Sequence, residues 1–113
     1  VVIDKASGTS NPTLHSSGSV RLYADNTIQI SGSAKIAKIV FTISDSSKFR
    51  YTTLDPSVGK MDPAQAAGDT TATWVGDSDT VTFTVGHDAT LGSDGSSKRG
   101  QVHFSKIEIY TAK

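Results

Sequence analysis

Two cation–ring pairs stand out for their chemistry: Arg21 and Tyr23 in "VRLY", and Arg50 and Tyr51 in "FRYTT". A lone Trp74 follows in "TWVG". Sugars present flat C–H faces ringed by hydroxyls, so a lectin-like site needs an exposed ring with hydrogen-bonding side chains beside it. In "GSVRLYADNTIQISG" Val20, Leu22, Ile28 and Ile30 share one phase, which turns Arg21, Tyr23 and Gln29 the other way. Tyr23 is therefore the leading candidate ring, with Arg21 beside it as a cation. Tyr51 and Trp74 are further stacking candidates, although large rings usually bury.

Other chemistries are weaker. Three histidines (His15, His87, His103) and many serines supply the parts of a triad, but no serine sits in a Gly-x-Ser-x-Gly elbow. The acidic residues fall mainly in clusters such as "GDSDT" that turn formation explains, and the single glutamate, Glu108, faces outward with no obvious partner. The chain is thus expected not to be an enzyme. A small hydrolase, as a rival, requires a histidine within about 3 Å of a carboxylate or serine in a cleft. "GSDGSSKRG" lacks the Gly-Lys-Ser/Thr ending of a phosphate loop, and no helix follows, so it reads as a hairpin loop with two exposed cations. Asp77, Asp79 and the stretch from Asp88 to Asp94 offer oxygen ligands of the kind calcium takes, without the density of a dedicated loop. No cofactor is expected, and a structural calcium is an open alternative.

The elements that must carry these residues are strands. "DTVTFTVG" alternates Val81, Phe83 and Val85 with Thr80, Thr82 and Thr84. "AKIAKIVFTISD" puts Ile39, Phe41 and Ile43 on one face, leaving Ile36 and Val40 out of phase with them. "SVRLYA" and "TIQIS" flank Asp25-Asn26, which predicts a tight hairpin. The last run, "QVHFSKIEIYTA", breaks parity between Val102/Phe104 and Ile107/Ile109, predicting a β-bulge or a change of sheet near Ser105-Lys106. Weaker strands are expected at "KFRYTTL", at "TATWVG" and around Val1 to Ile3. The best helical attempt, "DPAQAAGD", is stopped by Gly68 within two turns. The fold class is therefore all-β, a two-layer antiparallel sandwich of jelly-roll type with seven or eight short strands.

Composition sets outer bounds. At 113 residues the chain is one domain, read as a single β-sandwich module, 1–113, excised from a longer multidomain protein. Eleven basic and eleven acidic residues cancel, which argues against a nucleic-acid partner. No apolar run approaches the roughly 20 residues needed to span a bilayer, so no membrane insertion is expected. With no cysteine there is neither a disulfide frame nor a thiol chemistry.

One ordered series of motifs carries a resemblance. "SGTSNP", "VRLYADNTIQIS", "KIAKIVFTIS", "TWVGDSDTVTFTV" and "GQVHFSKIEIYTA" together resemble β-sandwich modules of secreted and surface multidomain proteins from gut and rumen bacteria of the Bacteroides group. The likeness runs from Ser7 to Thr111. It implies a noncatalytic carbohydrate-binding module, secreted or at the cell surface, attached to an enzyme that degrades plant polysaccharide. Asn11, Arg21, Tyr23, Asn26 and Trp74 fall on matching positions. The expected partners are a polysaccharide or oligosaccharide and the neighbouring domains of the parent chain. Tyr23, with Trp74 or Tyr51, would stack on a sugar while Arg21, Asn11 and His15 bond its hydroxyls. The rival reading is a structural or protein-interaction sandwich, betrayed by an outer apolar patch that could include Ile36 and Val40.

Overall fold

The computed structural model describes residues 1–6, 8, 12–14, 19–44, 50–89, 91 and 99–111. Eight strands occur among them: β1 (Val2–Asp4), β2 (Thr13–Leu14), β3 (Val20–Tyr23), β4 (Thr27–Ile43), β5 (Leu54–Pro56), β6 (Lys60–Met61), β7 (Thr71–Val85) and β8 (Gln101–Thr111). They hydrogen-bond in the order β2-β3-β8-β4-β7-β5, with β1 added to β4 and β6 to β7, and every ladder is antiparallel. The fold is all-β and sandwich-like, and no helix appears among the described residues.

Long strands make this architecture, where the sequence suggested short ones. "TIQIS" and "AKIAKIVFTIS" join into the single 17-residue β4, and "TATWVG" and "DTVTFTVG" into the 15-residue β7. The apolar phase switches within each. In β4, Ile28, Ile30 and Ile36 are buried on even positions and Ile39, Phe41 and Ile43 on odd ones. In β7 the change falls between Trp74 and Val81. Register shifts between Ser31 and Ile36 and between Ile36 and Lys38 accompany these switches. A bulge inserts one residue, so the strand keeps burying its apolar side chains as the sheet curls over itself. That is why Ile36, read as out of phase, is buried, and why Val40 is only half-buried.

The predicted parity break in β8 is a bulge. Thr42 pairs with Lys106 and Ile43 with Phe104, leaving Ser105 as the extra residue. Glu108, expected to lack a partner, lies 3.8 Å from Lys106 and accepts a hydrogen bond from the Tyr110 hydroxyl at 3.0 Å.

The predicted hairpin at Asp25-Asn26 is not formed. The turn exists, with Asp25 at φ 65° and the Asn26 amide donating to the Tyr23 carbonyl at 3.0 Å. However, β3 pairs with β2 and β8, while β4 pairs with β1, β7 and β8. Leu22 and Ile28 both enter the core, so the chain crosses between layers instead of folding back beside itself. Asn26, fully buried, fixes this corner: its Oδ1 accepts from the Tyr23 amide at 2.8 Å and its Nδ2 donates to the Lys5 carbonyl at 3.1 Å.

Phe41 is the centre of the interior, edge-to-face with Phe83 at 5.1 Å and Phe104 at 5.6 Å. Each such side chain contributes about 1.5–3 kcal/mol on burial. Trp74 adds a third edge contact to Phe83 at 6.4 Å.

Candidate functional site

The two aromatic candidates at Trp74 and Tyr51 belong to this interior, which corrects the expectation that either could stack on a sugar. Trp74 is 0% exposed, and its Nε1 donates to the Val58 carbonyl at 2.7 Å. Its slot is built by glycine. A Cβ on Gly76 would lie 2.5 Å from the indole, and one on Gly59, at φ +70°, 2.6 Å from Nε1. The Trp-x-Gly spacing is therefore a packing device. Tyr51 is 1% exposed, and its hydroxyl accepts from Gln65 Nε2 at 2.7 Å while Gln65 Oε1 caps the Leu54 amide. Burial pushes the Tyr51 phenol up to about 12, with the Gln65 bond opposing and Asp69 adding to the rise.

Tyr23 differs. Leu22 next to it is fully buried, while Tyr23 is half-buried and turned from the core, as the parity predicts. It lines an open pocket of about 210 Å³ together with Ala24, Arg50, Arg99, Gly100 and Gln101 among the described residues. Three stretches of chain meet there. Tyr23 ends β3 opposite Gln101 of β8. Arg50 lies one residue before the parallel bridge of Tyr51 to Gln101, and its carbonyl accepts from the Gln101 amide at 2.7 Å. Arg99 arrives beside Asp88, and the Gly100 amide donates to the His87 carbonyl at 2.8 Å.

Thr52 clamps these stretches together. It is 1% exposed, and a Cβ on Gly100 would fall 2.6 Å from its Cγ2, one on Gly86 2.4 Å from its Oγ1. Only side chains of zero size at both positions let the 50–54 segment seat against the end of β7 and the start of β8. The pocket wall is thereby set by close packing within the chain itself.

The pocket is rich in positive charge. Burial raises the Tyr23 phenol, but side-chain hydrogen bonds from Thr13 and Arg21 and the charges of Arg21 and Arg50 bring it, on balance, below the ordinary tyrosine value. Arg21 hydrogen-bonds the phenol and has no carboxylate partner among the described residues; its Nε is buried without a hydrogen-bond partner among them. Asp25 at the rim accepts from His87 Nδ1 at 2.9 Å and from Arg99 Nη2 at 3.3 Å. Arg99 Nη1 also lies 3.5 Å from His87 Nε2.

That last cluster meets the histidine–carboxylate distance set for a hydrolase, but its other nitrogen is taken. Arg99, a permanent donor, lies against His87 Nε2, the nitrogen that would have to take a nucleophile's proton. The cluster pins the Arg99 strand end to the β3–β4 corner.

The remaining candidates are soon placed. Asn11 and His15 lie outside the described residues. His103, paired with Arg21 across the ladder, is buried, and its Nε2 lies 2.9 Å from Gln101 Oε1. Asp77 and Asp79, offered for calcium, sit on β7 instead of a loop; Asp94 lies outside the described residues, among which no three His or acidic side chains gather. Sequence reasoning undervalued Arg50 and Arg99. A usable signal existed for Arg50: if Tyr51 is buried, its neighbour must point away.

No described helix is long and apolar enough to cross a membrane. No protein-family model, curated protein or solved structure matches the chain.

Proposed function

We propose that this chain is a noncatalytic carbohydrate-binding module of a secreted or surface protein that degrades plant polysaccharide. The observation that carries the reading is the open pocket lined by Tyr23, Arg50 and Arg99. The ring supplies an apolar face for sugar C–H groups, and the arginines supply hydrogen-bond donors for its oxygens. At about 210 Å³ the pocket is below the roughly 300–1,000 Å³ usual for drug-sized ligands, so it suits one sugar unit or its substituent. Little ligand surface is buried, and affinity in the micromolar to millimolar range, on the order of −8 to −4 kcal/mol, follows.

Electrophoresis through gels containing plant polysaccharides tests the reading. Retardation that disappears in Tyr23→Ala, with the fold intact, supports it. Unchanged migration of that variant relative to the parent rejects it.

A protein-interaction role draws on one separate observation. Ile109 and Tyr110 on β8 are 44% and 46% exposed, and Val2 and Ile3 on β1 are also exposed. These, not Ile36, are the apolar residues a neighbouring domain would meet. That reading predicts no retardation on any glycan.

A further inference from the structure

The composition of the pocket points beyond sugar binding in general to the kind of sugar. The whole chain carries eleven basic and eleven acidic residues, yet the charge around Tyr23 is one-sided. Arg50 and Arg99 line the pocket, and Arg21 stands behind the phenol. Asp25 is the acidic group paired there, and its carboxylate is engaged by Arg99 and His87. Arg50 has no acidic partner among the described residues. A neutral glycan can accept hydrogen bonds from the guanidiniums but leaves their charge unmatched, and their desolvation opposes its binding.

We propose that the pocket takes an oxyanion carried on a sugar ring, the carboxylate of a uronic acid or a sulfate ester. Guanidinium groups present forked donors that match a carboxylate or sulfate edge, which an ammonium does not. Arg50 is the principal contact. Arg99 is held in place by Asp25 and keeps its remaining donors for the ligand. Tyr23 supports the ring that bears the anion, and its phenol, already bonded by Arg21 and Thr13, adds an oriented oxygen. The Thr52 clamp holds the two arginine-bearing stretches at fixed spacing, so little ordering is needed on binding.

This inference rests on the module reading above, and the test separates the two. The full chain is run on gels containing polygalacturonate, its carboxyl-reduced neutral counterpart, and a sulfated glycan, with Arg50→Gln and Arg50→Lys in parallel. Thermal unfolding checks that each variant is folded. The expected result is retardation by at least one acidic polymer and none by the neutral one. Arg50→Gln should weaken it by about tenfold or more, and Arg50→Lys should restore part of the loss. The carboxylate and sulfate arms then tell which anion is held. Equal retardation by acidic and neutral polymers overturns the anion inference and leaves the module reading standing. Retardation on the acidic polymer that Arg50→Gln does not change overturns the siting. Retardation by no polymer overturns the anion inference, and the wider set of plant polysaccharides then decides the module reading.

Discussion

Trp74 and Tyr23 are both amphipathic rings on strands, and the sequence offered both as sugar platforms, yet they ended on opposite sides of the fold. Trp74 is fully buried with its N–H bonded to the Val58 carbonyl, whereas Tyr23 stands half-buried at an open pocket. The difference lies in their neighbours. Gly76 two residues after Trp74, and Gly59 across from it, remove the side chains that would stand in the indole's way. Arg21 two residues before Tyr23 does the reverse, placing a charged group on the same face that the core cannot take. What occupies position i ± 2 on a strand decides whether a ring is swallowed or displayed.

The largest expected effect is at the buried ring. Trp74→Ala should destabilise the protein by about 3–5 kcal/mol, read as a lower midpoint in urea unfolding. A loss below about 1 kcal/mol would mean the indole does not hold the core, and the contrast with Tyr23 would fail.

Filling the slot should come next. Gly76→Ala puts a methyl against a ring that has no freedom to leave, at a cost of about 2 kcal/mol. The same substitution should leave glycan retardation unchanged, because the slot lies away from the pocket.

Alkaline titration compares Tyr51 with Tyr23 directly. The folded Tyr51 phenol sits at about 12 against an ordinary value of 10.0, so its neutral form is favoured in the native state. Its contribution is complete below pH 10, and as pH rises toward 12 the unfolded chain ionises first and stability falls by about 2 kcal/mol. Tyr51→Phe should flatten that decline. Tyr23 has the opposite sign: its folded value lies below the ordinary one, so its contribution grows with pH above that folded value. Phenolate absorbance should accordingly show Tyr23 ionising before Tyr51.

The smallest effect on stability is expected at the displayed ring. Tyr23→Ala should cost no more than about 1 kcal/mol, while removing most of the glycan retardation. A large loss of stability would show that Tyr23 is a packing residue like Trp74.

Much of the fold could be read from alternation. Val81, Phe83 and Val85 are buried as their spacing requires, and the bulge at Ser105 follows from the change of phase between Phe104 and Ile107. The hairpin at Asp25-Asn26 was misread because turn residues report a reversal of direction but not the strand that will lie alongside. Both layers needed an apolar face, and Leu22 and Ile28 answered from strands of one curled sheet that do not pair with each other. The continuity of β4 and β7 was equally hidden, since a bulge resets parity and imitates the end of a strand. For the site, the outward phase of Tyr23 was legible, but its partners were not. Arg50 and Arg99 come from distant stretches, and only the three-way junction around Gln101 brings them to one pocket. Nor does phase alone mean exposure: His103 takes the outward phase beside Arg21 and is nevertheless covered.

The corner amide of Asn26 joins two things that need not have been joined. One end of it grips the backbone of Lys5, the other the backbone nitrogen of the residue that presents the phenol. The first few residues and the backbone at the pocket's ring are thus tied through a single planar group. Loss of that one side chain would therefore release the backbone at Lys5 and at Tyr23 together.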